Sequence, residues 1–198
     1  MTVSQETRFG PAALRTYLLP DERILWEGQP DVRSFMLRGW WFIVPFSILW
    51  GGFAIFWEVS AWRGGAPPFF LLFGIPFVLI GLYMIFGRFY VAAREAENTS
   101  YAVTEGRVLI LGGAFRPSLV ELDLLTLPSA QLDEGRDGVG TITFGAMTGY
   151  MRLPPGWPTL GMYRMPPAFQ SIRDSRRVFE MLQQARANLR AEGARAPA

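Results

Sequence analysis

The amino-acid sequence predicts an α+β membrane protein: a two-helix transmembrane hairpin followed by a small antiparallel β-sandwich or barrel, capped by a C-terminal helix. Three observations predict it. Two long uncharged runs lie close together, Gly39 to Trp57 and Gly64 to Gly87. Short segments of strand-like texture follow, punctuated by Gly-rich turns. Last comes a stretch with an apolar stripe at helical spacing, from about Asp174 to Ala191.

The two uncharged runs carry the membrane assignment. Each is long enough to cross the hydrocarbon core, roughly 30 Å at about 1.5 Å per residue. Helices of ordinary soluble domains show a polar stripe, and these show none. Only Glu58 to Arg63 separates the runs, so the two helices are antiparallel neighbours. The spans are placed at about 39–58 and 66–87, within a hairpin of 39–87. Trp40 and Trp41 mark one interface, Trp57 and Trp62 the other. Gly51, Gly52, Gly74 and Gly81 allow close helix approach, and Pro45 and Pro76 are expected to kink the spans. Neither span carries an ionisable residue in its middle, which argues against a proton relay or ion pathway within one copy.

Orientation follows from arginines near the span ends. Arg33 and Arg38 precede the first span, and Arg88 and Arg94 follow the second. The connecting loop holds Arg63, offset by Glu58. The positive-inside rule then puts both termini in the cytoplasm, in a multi-pass inner-membrane protein.

Residues 1–38 form a cytosolic N-terminal segment. Its first ten residues read as a tail and do not resemble a signal peptide. Pro11 to Leu19 reads as a short helix stopped by Pro20, and Arg23 to Glu27 as a short strand. A strand so short must pair with another, and Ile24, Leu25 and Trp26 are expected to add an edge to the cytosolic sheet.

Beyond the second span, Arg88 to Glu97 reads as a helical extension and Asn98 breaks it. The β-rich domain is placed at 98–191. Strands are expected at 99–104, 107–111, 118–122, 128–132, 141–145 and 168–172. Glu105-Gly106 makes a tight turn. The polar loop Glu134 to Gly140 lacks the spacing of a phosphate loop and is followed by a strand, so it reads as a hairpin connection. Ala146 to Pro167 is rich in Pro and Gly, yet holds Met151, Trp157 and Met162 among its apolar residues. It is either a loop folded into the core or an apolar contact surface for lipid or a protein partner. In the last helix Val178, Leu182, Ala185 and Leu189 form one apolar face, and Asp174 is the expected N-cap. Arg173, Arg176 and Arg177 near its start either grip a phosphate-bearing headgroup or form a solvated face.

Composition narrows the function. Cys and His are both absent. Disulfides and thiolate metal sites are thereby excluded, and with them Ser-His-Asp triads and the zinc sites of hydrolases. None of the basic residues is Lys, and the formal net charge of +2 is too small to indicate nucleic acid as a partner. No cofactor or metal is expected.

Two spans, then YAVTEGRVLIL, a Gly-rich hairpin into GTITF, and PPAFQSIRDSRRVFEMLQQA together resemble the bacterial pleckstrin-homology (PH)-like membrane proteins. LLPDERILWEGQP is similar to the segment that commonly precedes their spans. The likeness covers residues from about 18 to 187, most of the chain. It implies a PH-like barrel of two packed antiparallel layers closed by a C-terminal helix, in a family taken as binding or scaffold modules. The phosphoinositide site of eukaryotic PH domains is not implied. That site uses a longer basic loop between the first two strands, where Glu105-Gly106 is expected here. The reading is therefore a non-catalytic inner-membrane binding or scaffold protein. Its expected partners are membrane lipids and a protein partner or a second copy. The runner-up is an accessory subunit stabilising a larger membrane enzyme or transporter.

Overall fold

The computed structural model describes residues 9–37, 40–127, 129–135, 137–145 and 166–195, with side chains of 40–43 left aside. In chain order the elements are α1 (Pro11–Arg15), β1 (Ile24–Gly28), α2 (Val32–Met36), α3 (Trp40–Arg63), α4 (Pro68–Leu82), a π-helical turn (Tyr83–Gly87) and α5 (Arg88–Asn98). There follow β2 (Ser100–Thr104), β3 (Arg107–Gly112), β4 (Ser118–Asp123), β5 (Ala130–Glu134), β6 (Gly140–Phe144), β7 (Ala168–Ile172) and α6 (Ser175–Arg195).

The strands form two antiparallel sheets. One is four-stranded in the order β1-β2-β3-β4, the other three-stranded in the order β5-β6-β7. The expected edge strand is present: β1 pairs with β2, with Glu27 opposite Ala102 and Gly28 opposite Tyr101. A bulge between Ile24 and Trp26 shifts its register.

Alternation along β2 and β3 explains how the first sheet is buried on both faces. Tyr101, Val103 and Val108 face the main core, and Ile110 packs at its margin. Their neighbours Ala102, Leu109 and Leu111 point the other way, onto Ala13 and Leu14 of α1. A period of two demands this division. It also explains why RVLIL is a continuous apolar run rather than an alternating one. The main core is shared between the sheets. Ile142, Phe144, Phe169 and Ile172 come from the second sheet, and Val178, Leu182 and Ala185 from α6. Leu124 and Leu127, in the connection between sheets, complete it.

The N-terminal segment is thus an integral part of the β-rich unit. The domain begun at residue 98 lacks its first strand and the helix covering its outer face. Glu105-Gly106 joins β2 to β3, which are not the first two strands of the sheet. Those two, β1 and β2, are joined by everything from residue 29 to residue 99.

That connection contains a helical hairpin of α3 against α4. Helix α3 runs on to Arg63, so Glu58 lies inside it and the link shrinks to residues 64–67. Two helices, Val44–Arg63 and Pro68–Asn98, are long and apolar enough to cross a membrane. The second includes α4, the π-helical turn and α5 in one run. Large apolar side chains point outward along both, among them Leu49 (73% exposed) and Phe69 (73%). Pro45 and Pro76 lie inside their helices, as expected. Helix α5 differs in texture: it buries Ala92 and Ala96 against Phe35 of α2, and the polar Arg88 and Asn98 as well.

Candidate functional site

A polar cleft of about 320 Å³ opens where α2 meets the second sheet. Ser34 lines it from α2, Asp133 and Glu134 from β5, Asp137 from the following loop, Thr141 from β6 and Ser171 from β7. Asp31 bonds to two of the lining residues, Ser34 and Ser171. As the N-cap of α2 its Oδ2 accepts from the Ser34 amide at 3.0 Å and the Ser34 hydroxyl at 2.7 Å. Its Oδ1 accepts from Arg173 Nη2 at 2.6 Å and Nε at 3.2 Å. The Arg173 guanidinium, then the Ser34 donors, hold the Asp31 carboxyl down at about 2. The Asp31 amide also donates to the Ser171 carbonyl at 2.7 Å.

The β7–α6 junction is held in an uncommon conformation. Ser171 and Asp174 have φ of 50° and 51°, a region that non-glycine residues rarely adopt. Three contacts fix it. The Ser171 amide donates to Thr141 Oγ1 at 3.2 Å, and the Gln170 amide to the Tyr101 hydroxyl at 3.0 Å. A Cβ on Gly140 would collide with Ser175, so only glycine permits this approach of β6 to α6.

The three arginines singled out in the sequence do not converge. Arg173 is tied to Asp31 and Arg176 to Glu134 at 2.7 Å, while Arg177 is exposed. Each of the first two has its pKa raised, first by its hydrogen bond to that carboxylate. Two of the three cations are therefore paired with the protein's own carboxylates at the surface. Around the cleft, carboxylate and hydroxyl oxygens predominate, a surface that receives donors or cations better than phosphate. Among the described residues, no three His, Cys, Asp or Glu side chains are placed to hold a metal ion. Met151, Trp157 and Met162 lie outside the described residues.

The residues that sequence reasoning passed over are Asp31, Ser34 and Glu134. Asp31 had a local signal: an Asp three residues before Ser34, with Pro30 just ahead, is an N-cap pattern. Its ion pair with Arg173 joins residues far apart in the chain and leaves no local trace.

The helical hairpin has its own close contacts. A Cβ built on Gly81 would lie 2.8 Å from the Cα of Gly51, so the two backbones touch there. A Cβ on Gly74 would collide with the Glu58 carboxylate, which sits in the notch this glycine leaves. An apolar groove of about 210 Å³ opens between the helices, lined by Trp50, Phe53, Ala54, Trp57, Phe73 and Phe77. The chain matches no protein-family model, no curated protein and no solved structure.

Proposed function

We propose that this chain is a two-span inner-membrane protein of the bacterial PH-like kind. Its α/β unit is a cytoplasmic binding or scaffold module that works without catalysis. The observation that carries the reading is the hairpin's place in the chain. Two apolar helices, with their large side chains turned outward, interrupt the chain between adjacent paired strands. Such outward apolar surface is far more than a water-facing hairpin tolerates, and lipid satisfies it.

The division into two antiparallel sheets supports the PH-like reading. The resemblance implies two antiparallel layers closed by a C-terminal helix, and the two antiparallel sheets with α6 packed into their shared core are in keeping with that. On this reading the connection between the first two strands, which carries the headgroup loop in eukaryotic PH domains, is occupied here by the membrane hairpin. The module is thereby tethered to the bilayer, and weak contacts with lipid or a protein partner gain from high effective concentration. The second reading, an accessory subunit of a larger membrane complex, is favoured by the apolar groove between Trp50 and Phe77, a shape that receives a side chain of a neighbouring helix.

Alkaline carbonate extraction and paired C-terminal reporters test the proposal. The chain should stay in the membrane pellet. A fused phosphatase active only outside the cytoplasm should be silent, and a fused fluorescent protein bright. Release by carbonate, or an active phosphatase, overturns it.

A further inference from the structure

We infer that Arg88 holds the phosphate of an anionic phospholipid at the cytoplasmic end of the hairpin, an inference that rests on the membrane reading above. Arg88 is the first charged residue after the uncharged run ending at Gly87. It opens α5 directly behind the π-helical turn. Its side chain is only 2% exposed. The guanidinium lies over the Phe89 ring, 4.2 Å from the centroid. Yet neither its Nε nor its Nη2 meets a hydrogen-bond acceptor among the described residues.

Other arginines of the chain show what is missing. Arg15, Arg107, Arg173 and Arg176 each reach a carboxylate. Arg107 uses the same two donors, Nε and Nη2, to hold both oxygens of Glu22 at 2.8 and 2.7 Å. These donors form one edge of the guanidinium, the edge that grips two oxygens of a carboxylate or a phosphate. In Arg88 that edge is buried and unmet.

An arginine cannot relieve the situation by losing its proton. A buried charge without a partner is strongly destabilising, so the Arg88 side chain gains by turning this edge outward to an anion of the surroundings. In the proposed topology Arg88 stands where apolar helix gives way to cytoplasm, the level of lipid phosphates. The edge fits an anion that offers two oxygens, and its level in the bilayer selects a lipid-borne phosphate over a soluble one.

The full-length protein in phosphatidylcholine nanodiscs, with and without phosphatidylglycerol, tests this. Phosphatidylglycerol should raise the melting temperature of the wild type and leave that of Arg88→Gln unmoved. In phosphatidylcholine alone Arg88→Gln should melt no lower than wild type, because it removes an uncompensated charge. Arg88→Lys keeps the charge and loses the fork, so its response should be intermediate. In native mass spectra, Arg88→Gln should retain phosphatidylglycerol about tenfold more weakly. Equal retention by wild type and Arg88→Gln overturns the inference. So does an Arg88→Gln that is already destabilised in phosphatidylcholine, which makes the residue structural. Inorganic phosphate stabilising as well as the lipid rejects the lipid source, and stabilisation that tracks protein concentration assigns the anion to a second copy. Release of the wild type by carbonate would instead defeat the membrane reading itself.

Discussion

The contact tying the N-terminal segment to the first sheet centres on Arg107, and Glu22→Gln perturbs it with little change of shape. Arg107 Nε and Nη2 donate to the two oxygens of Glu22 at 2.8 and 2.7 Å, and Nη1 lies 2.7 Å from Glu121 on β4. Nη2 also reaches the Tyr17 carbonyl at 3.0 Å, just after α1. The side chains of Arg107 and Glu22 are only 12% and 9% exposed, so water screens the pair weakly. The Arg107 hydrogen bond outweighs the opposing effect of burial and takes the Glu22 carboxyl from 4.5 down to about 2. A shift of that size corresponds to roughly 3 kcal/mol. Because the folded-state value is depressed, the stabilisation is complete above pH 4.5 and is lost as the pH falls through about 2.

Arg107 keeps Glu121 in the variant, so Glu22→Gln should cost about 1–3 kcal/mol at neutral pH. Hydrogen–deuterium exchange of the full chain in detergent reads this locally. Amides of residues 11–28 should exchange roughly tenfold to a hundredfold faster at pH 7, while those of 130–144 should hold their protection. Thermal melts should then show a shallower acid decline for the variant than for the wild type. Unchanged protection at 11–28, together with an acid decline as steep as wild type's, would refute the assignment of this pair as the clasp.

Two further outcomes follow from the packing. Gly81→Val should force the helices apart at Gly51 and lower resistance to SDS unfolding by about 1–3 kcal/mol, whereas Gly52→Val, with nothing within 4 Å of its Cβ, should not. Phe169→Ala should cost about 3–5 kcal/mol in a chemical melt, since its ring sits 4.8 Å from Tyr101, 5.1 Å from Phe144 and 5.4 Å from Trp26. A loss below about 1 kcal/mol would mean these rings do not form one core.

Legibility in the sequence tracked how local each determinant is. The apolar runs, the Glu105-Gly106 turn and the stripe of Val178, Leu182 and Ala185 depend on near neighbours, and the structure places them close to where they were expected. Strand ends differ by a residue or two, as at β5, which begins at Ala130. Helix α6 starts at Ser175, and Asp174 ahead of it has positive φ rather than the extended backbone of an N-cap. Glu58 reads as loop because it is charged, yet its carboxylate has a glycine notch on the facing helix to lie in. The engagement of Arg173 with Asp31 and of Arg176 with Glu134 was invisible, because each pair meets only when separate strands and helices assemble. Charge counting near a helix start reports cations, not their partners.

The position of the hairpin has a consequence for how this molecule can be divided. Gly28 of β1 sits opposite Tyr101 of β2, and from these strands the chain passes into the two ends of the hairpin. Helices α2 and α5, on the two legs, are fastened to each other by Phe35, Ala92 and Ala96. Asp31 binds the base of α2 to β7 and Arg173. The hairpin legs are therefore anchored in both sheets. A fragment beginning at residue 98 would abandon β1 and α1, leaving the β2 edge unpaired and Ala102, Leu109 and Leu111 open to water. An unpaired edge beside an uncovered apolar face is a template for aggregation. The β-rich unit is discontinuous in sequence: residues 9–37 pack on described residues of 88–195. A soluble version would replace residues 38–87 by a linker short enough to keep β1 on β2 and α2 on α5.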